Sequence, residues 1–197
     1  MKKGNARFTM MKGHHKKKLQ EAIDGKKIDP LMIDLAKHIA SSKNYFSTSS
    51  CSGRIILLQI NDAEDKQPEG FFRKWHSQVK AEEVWEALQE KTEKNIWFKQ
   101  EPFVLVIGSQ DFEHAKTIIE ICKELGIKRC GISFFEEGKV LLEVFGSQGM
   151  SFMVKKKNKL LILEEMMKEQ VEIANQKWKK NDEKLKEFQA ELKKRLQ

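Results

Sequence analysis

The sequence predicts an α+β fold: a mixed, largely antiparallel sheet with helices at both ends of the chain, and three observations carry that expectation. Short runs rich in β-branched and leucine residues, such as Ile55–Ile60 and Val104–Ile107, have strand length and are bounded by polar segments. The middle of the chain reads twice as strand, helix, strand, strand, an order that favours antiparallel neighbours over crossovers. The C-terminal segment 164–196 has apolar residues spaced alternately by four and three, as one long amphipathic helix requires. With 197 residues and 40% hydrophobic content the chain can bury a substantial core. It reads as one domain, 1–197, with a basic arm at 1–20.

Leu19 and Ile23 behind a basic run predict an N-terminal helix ending near Gly25. Asp29-Pro30 reads as an N-cap followed by proline at the first helical position, and Leu31, Ile33, Leu35 and Ile39 give the second helix its apolar residues. Residues 54–60 form a buried strand, and 61–70 a polar loop containing Pro68 and Gly70. Strands are then expected at 71–76, 95–99, 102–108, 131–135, 139–145 and 150–154, with helices at 81–92 and 111–125. In the last helix Met167, Val171, Ala174, Trp178, Leu185, Phe188 and Leu192 make a narrow seam interrupted at Asn181. A seam of about four heptads favours docking on its own domain over pairing with a partner, and a monomer is favoured. Val104–Ser109 before a helix has the outline of an anion site, but lacks the glycine spacing of a dinucleotide fold.

No apolar run reaches about 18 residues, the length of a membrane span, and the N-terminus lacks the apolar core of a signal peptide, so a soluble, cytoplasmic protein is expected. Cys51, Cys122 and Cys130 form no Cys-x-x-Cys pair, and the histidines are isolated or lie in the basic arm, so neither a disulfide framework nor a metal is expected. The formal charge of +8 comes from the ends: residues 1–20 carry seven Lys or Arg and no acid, residues 155–197 thirteen against eight, and the middle is −4. Such ends suit the phosphates of an RNA, with Lys16, Lys17, Lys18, Lys155, Lys156 and Lys157 as candidates. Lysine-rich ends also occur on helices that are merely solvated. Trp75, Trp97 and Trp178 sit on plausible apolar faces, which favours core packing over base stacking.

The most informative segment is Tyr45-Phe46-Ser47-Thr48-Ser49-Ser50-Cys51-Ser52-Gly53-Arg54, expected to lie as a polar stretch between the second helix and the strand at 54–60. Its hydroxyls, thiol, glycine and arginine suit a backbone bent around a ligand. Serines also cluster in ordinary turns, and Gly53 can serve only to supply a positive φ. The segment resembles the signature of the third tRNA wybutosine-synthesising protein family. Trp75-His76, Glu101-Pro102-Phe103-Val104-Leu105, Gly126-Ile127-Lys128-Arg129-Cys130-Gly131-Ile132, and Asn175 with Lys177 are similar to further motifs of that family, in family order over roughly residues 8 to 190. The likeness is to a divergent, archaeal-type member.

The resemblance implies a methyltransferase that takes S-adenosyl-L-methionine as donor in a fold unlike the doubly wound one. It implies transfer to N-4 of the tricyclic wyosine-type base at position 37 of phenylalanine tRNA, a 7-aminocarboxypropyl-demethylwyosine intermediate. Ser49, Ser50, Cys51, Ser52, Gly53, Arg54, Trp75, Glu101, Lys128 and Gly131 are then the candidate substrate- or cofactor-binding residues. His76 is the candidate proton acceptor, since an imidazole titrates near neutrality. A histidine merely satisfied at a strand end remains the alternative. Cys51 is read as a small residue shaping the loop rather than a nucleophile. Two departures stand out: Gly126-Ile127 replaces a Gly-Phe turn, and Phe145-Gly146-Ser147-Gln148-Gly149-Met150-Ser151-Phe152-Met153 replaces an Arg-Ser-Thr segment leading through Gly to Val-Pro. The alternatives are a non-catalytic tRNA-binding homologue, and a thiol-dependent hydrolase built on Cys51 and His76.

Overall fold

Period-two burial builds the strands: along Lys139–Phe145, Val140, Leu142 and Val144 are buried while the residues between them are partly exposed. In the computed structural model, which describes residues 3–61 and 70–196, the chain starts with helix α1 (Lys3–Asp24). A short 3-10 helix, Pro30–Met32, leads into α2 (Ile33–Ser41). Strands β1 (Tyr45–Cys51), β2 (Arg54–Ile60) and β3 (Phe71–Trp75) follow, then α3 (Ala81–Gln89), β4 (Asn95–Glu101) and β5 (Val104–Ser109). The rest is α4 (Phe112–Glu124), β6 (Arg129–Glu136), β7 (Lys139–Phe145), β8 (Met150–Lys156), β9 (Lys159–Leu160) and α5 (Glu164–Arg195). Most of the loop expected at 61–70, Pro68 included, lies outside the described residues.

The expected sheet is two sheets, ordered β1-β5-β7-β6 and β3-β2-β4-β8-β9, and every pairing among the described residues is antiparallel. At two of the points where the chain changes unit, the ladder cannot continue. Gly53, at φ +100°, separates β1 from β2, and Pro102, without an N–H, separates β4 from β5. One compact unit comprises Met1–Ser52, Phe103–Ser147 and Glu183–Gln197; the other comprises Gly53–Pro102 and Gln148–Asp182.

In the first unit, α4 lays Ala115, Ile118, Ile121 and Cys122 against Leu105, Ile107, Leu142 and Val144. Leu35 and Ile39 of α2 and Leu185, Phe188 and Leu192 of α5 complete that core, with Phe103 and Phe188 stacked at 6.2 Å. In the second unit, Val84, Ala87 and Leu88 of α3 and Met167, Val171 and Ala174 of α5 cover Ile55, Leu57, Ile96, Phe98 and Val154. The seam read from the sequence thus docks on the chain itself, its two halves serving separate cores.

The largest difference from expectation lies in the hydroxyl-rich segment, which is the edge strand β1 rather than a loop. It pairs with β5, and Thr48 is the extra residue of a bulge between Ser47 and Ser49. An edge strand lined by serine shows no apolar alternation, so the period-two signal is absent although the ladder forms. Phe46 lies directly over Gly108, where a side chain would have no room, and is flanked by Phe8 at 5.9 Å and the stacked ring of His15 at 4.8 Å. The Lys12 ammonium donates to the carbonyls of Ser42 and Tyr45, fastening α1 to the end of α2.

Candidate active site

A cleft of about 240 Å³ in the first unit is lined on one side by Ser47, Thr48, Ser49 and Ser50. His15, Lys18, Leu19 and Ala22 form the opposite wall, and their spacing of i, i+3, i+4, i+7 places them on one face of α1. After Gly25 the chain turns through Lys26, at φ +51°, and brings Lys27 and Ile28 to the same cleft. Among the described residues the lining combines hydroxyls, two ammonium groups and a short apolar wall, with no carboxylate, a chemistry that selects an anionic group beside a flat apolar one. Burial first, then repulsion from His14, Lys139 and Lys18, holds the His15 pKa below the ordinary histidine value, so its imidazole is neutral at pH 7.

The end of β1 is tied down by a residue read from sequence only as a helix cap. Asp29 Oδ1 accepts the Leu31 N–H at 3.1 Å, which starts the 3-10 helix, and Oδ2 accepts the Ser52 N–H at 2.8 Å. One carboxylate thus couples the start of the helix to the signature. Cys51 is half-buried, Ser52 is buried, and Gly53 makes the positive-φ turn into β2.

In the second unit Arg54 and Glu101 are register partners on β2 and β4, and Arg54 Nε donates to Glu101 Oε2 at 2.7 Å. The guanidinium also lies 4.6 Å over the Phe71 ring. Trp75, the last residue of β3, packs on the second core, and half-buried His76 follows it. Asn175 on α5 grips the backbone after His76 from both sides: its amide donates to the Val79 carbonyl at 2.8 Å and its oxygen accepts the Val79 N–H at 3.0 Å. That gives the asparagine quoted from the sequence a positioning role.

Lys155, Lys128 and Gly131 fall elsewhere than expected. Lys155, read as a phosphate ligand, is buried, with its ammonium donating to the carbonyls of Leu88 at 2.7 Å and Glu90 at 2.6 Å. It satisfies carbonyls at the C-terminal end of α3 and is out of reach of RNA; a basic triplet in sequence does not reveal the bulge at Val154 that turns Lys155 to the same side as its core neighbour. Lys16, Lys17, Lys18, Lys156 and Lys157 are exposed, and of these Lys18 lines the cleft. Exposed Lys128 follows α4, and Gly131 lines a separate hollow with Arg129, Cys130 and Glu143 on β6 and β7, so neither joins the cleft of Ser47–Ser50. Sequence reasoning missed Asp29, His15 and Lys27 as site residues; the helical spacing of His15 with Lys18, Leu19 and Ala22 was the signal available for one of them.

An antiparallel α+β frame with a hydroxyl- and lysine-lined cleft, and without a glycine-rich dinucleotide turn, places the chain outside the doubly wound class. The chain belongs to the Methyltransferase TYW3 family, whose pattern matches residues 9–194. A Pyrococcus horikoshii protein named tRNA(Phe) 7-((3-amino-3-carboxypropyl)-4-demethylwyosine(37)-N(4))-methyltransferase 1 is 30% identical over 174 residues, covering 88% of this chain and 89% of its own. A Thermococcus sibiricus protein with the same name apart from the final numeral is 29% identical over 187 residues, 95% of each chain. The solved structure of the PH1069 protein from Pyrococcus horikoshii matches with a TM-score of 0.87 at 29% identity, covering 94% of each chain.

Proposed function

We propose that this chain is an S-adenosyl-L-methionine-dependent tRNA methyltransferase of wybutosine biosynthesis. It methylates N-4 of the 7-aminocarboxypropyl-demethylwyosine base at position 37 of phenylalanine tRNA. The observation that carries the reading is the family match over residues 9–194, with relatives of that stated activity along most of the chain.

The cleft of the first unit fits the donor in chemistry. Lys18, Lys27 and the hydroxyls of Ser49 and Ser50 suit its carboxylate, and Leu19, Ala22 and Ile28 offer an apolar wall to its purine. Bound there, the donor supplies an electrophilic methyl group on a sulfonium sulfur. The chain's own contribution is to hold two reactants close and aligned, and to take the proton that leaves the ring nitrogen. Asp29 fixes the signature strand through the Ser52 amide, and Asn175 fixes the backbone beyond His76. His76 is the proposed proton acceptor; the Arg54–Glu101 pair places a guanidinium fork for a phosphate or carboxylate.

The deciding experiment incubates the purified chain with labelled S-adenosylmethionine and phenylalanine tRNA stopped before or after the aminocarboxypropyl step. Nucleoside mass analysis follows. Methyl incorporation at position 37 of the aminocarboxypropyl form is the expected result. Tight tRNA binding without incorporation would instead assign the chain as a non-catalytic homologue.

A further inference from the structure

The five-stranded sheet of the second unit uses one face for its core, through Ile55, Leu57, Ile96, Phe98 and Val154. The residues between them form a second face, and the strand register arranges that face in rows. Leu58 is opposite Phe71 on β3 and Trp97 on β4, and Trp97 is opposite Met153 on β8, so one apolar row crosses four strands. The adjacent row, two residues along on β2, β4 and β8 and three along on the bulged β3, holds Lys74, Ile56, Lys99 and Ser151, with Ile56 itself fully buried, and the next holds Arg54 and Glu101. None of Leu58, Phe71, Trp97 and Met153 belongs to the core cluster of the unit. The sequence-based expectation that Trp97 packs in the core is thereby corrected: alternation sends its indole to the other side of the sheet.

We propose that this face is a stacking platform for unpaired nucleotides of an RNA, with Phe71 and Trp97 taking bases and Lys74, Lys99 and Arg54 taking phosphates. The inference rests on the tRNA-modifying reading above and adds where the RNA is held. Phe71 is 44% exposed, a costly position for a phenylalanine that serves only its own sheet. The Arg54 guanidinium and the Lys74 ammonium lie over that ring, 4.6 and 5.6 Å from its centre, so a base stacking on Phe71 would take ring surface that these cations do not cover and bring its phosphate to them. Sheets that present aromatic side chains between basic ones bind single-stranded RNA in this way: every base has a π face, and the cations follow the backbone.

Charge selects the occupant. The described residues of these rows carry three cations, Arg54, Lys74 and Lys99, against one carboxylate, Glu101. A second copy docked on the same face about a two-fold axis would bring a net-positive face against itself, whereas a polyanion is complementary.

The test uses the full chain and two probes: a stem-loop RNA with an unpaired loop, and a fully paired duplex of the same length. Phe71→Leu and Trp97→Leu keep an apolar side chain and remove the aromatic face. Each should weaken stem-loop binding by about 5- to 100-fold while changing duplex binding little, and Phe71→Tyr should restore it. Lys74→Gln and Lys99→Gln should each lower the slope of log affinity against log salt by about 0.7. Donor affinity, measured without RNA, reports that the variants are folded and should be unchanged.

Stem-loop binding equal to wild type in both leucine variants would overturn the platform. So would leucine variants that dissociate a dimer at unchanged RNA affinity, which would give the face to a second copy. Methyl transfer by the unaltered chain is scored separately. If it fails while the leucine variants still lose loop binding, the enzymatic reading falls and the platform stands.

Discussion

Asp29 provides a sharp test of how the signature is held. Its carboxylate accepts one backbone N–H at 3.1 Å from Leu31 and another at 2.8 Å from Ser52, so Asp29→Ala removes a helix cap and a charge-assisted bond together. Losing the cap costs about 1 kcal/mol. The bond to a part-buried amide adds about 1.5–3 kcal/mol, because Ser52 is buried and a displaced amide has no ready access to water. The sum, about 2.5–4 kcal/mol, should lower the melting temperature by about 5–15 °C in a chain of this size. Asp29→Asn keeps one acceptor oxygen and should retain about half of that stability. Chemical denaturation gives the stability, and titration with S-adenosylmethionine reports whether the cleft has loosened, where weaker donor binding is expected. Wild-type stability together with wild-type donor affinity in Asp29→Ala would show that the signature strand is held by its ladder with β5 alone.

Replacing Lys16, Lys17 and Lys18 together by Gln should lower the log-log salt slope of tRNA binding by about 0.7 to 0.9 for each phosphate left without its lysine. Lys155→Gln should leave the slope unchanged and cost about 1–3 kcal/mol of stability, since the Leu88 and Glu90 carbonyls at the end of α3 lose a buried donor; an unaltered slope in the triple variant would mean that those lysines only solvate α1. His76→Ala should cut turnover by about a hundred- to ten-thousand-fold at near-normal donor affinity, and Cys51→Ser should keep most activity. The reverse order of damage would point to thiol chemistry. His15 has a folded pKa below its ordinary value, so its neutral form contributes stability fully above about pH 6.5, and that contribution is lost progressively as the pH falls from there through the lower folded value, because the unfolded chain takes up the proton first. Denaturation midpoints of His15→Gln should therefore decline less on the acid side than those of the parent chain, and parallel curves would refute the assignment.

The helices and most strands were legible in the sequence, because each rests on local chemistry. Asp29-Pro30 caps the helical region where expected, Ile55 to Ile60 forms β2, and Val140, Leu142 and Val144 alternate into a core. The family motifs are equally local, since they are short strings in a fixed order. Which segments share a surface depends instead on long-range pairing. Ser47–Ser50 became an edge strand because β5 offers it a ladder, which no residue of β1 announces. Trp97 turned away from the core because strand alternation is counted from the register, and Lys155 turned inward because a bulge at Val154 breaks that alternation, and both register and bulge depend on neighbours distant in sequence. Gly53 and Pro102 mark where the chain leaves one ladder for another, but only the completed sheets reveal which ladder each strand joins. Side-chain propensity acts within a few residues, whereas the cleft between α1 and β1 exists only once the chain has folded back on itself.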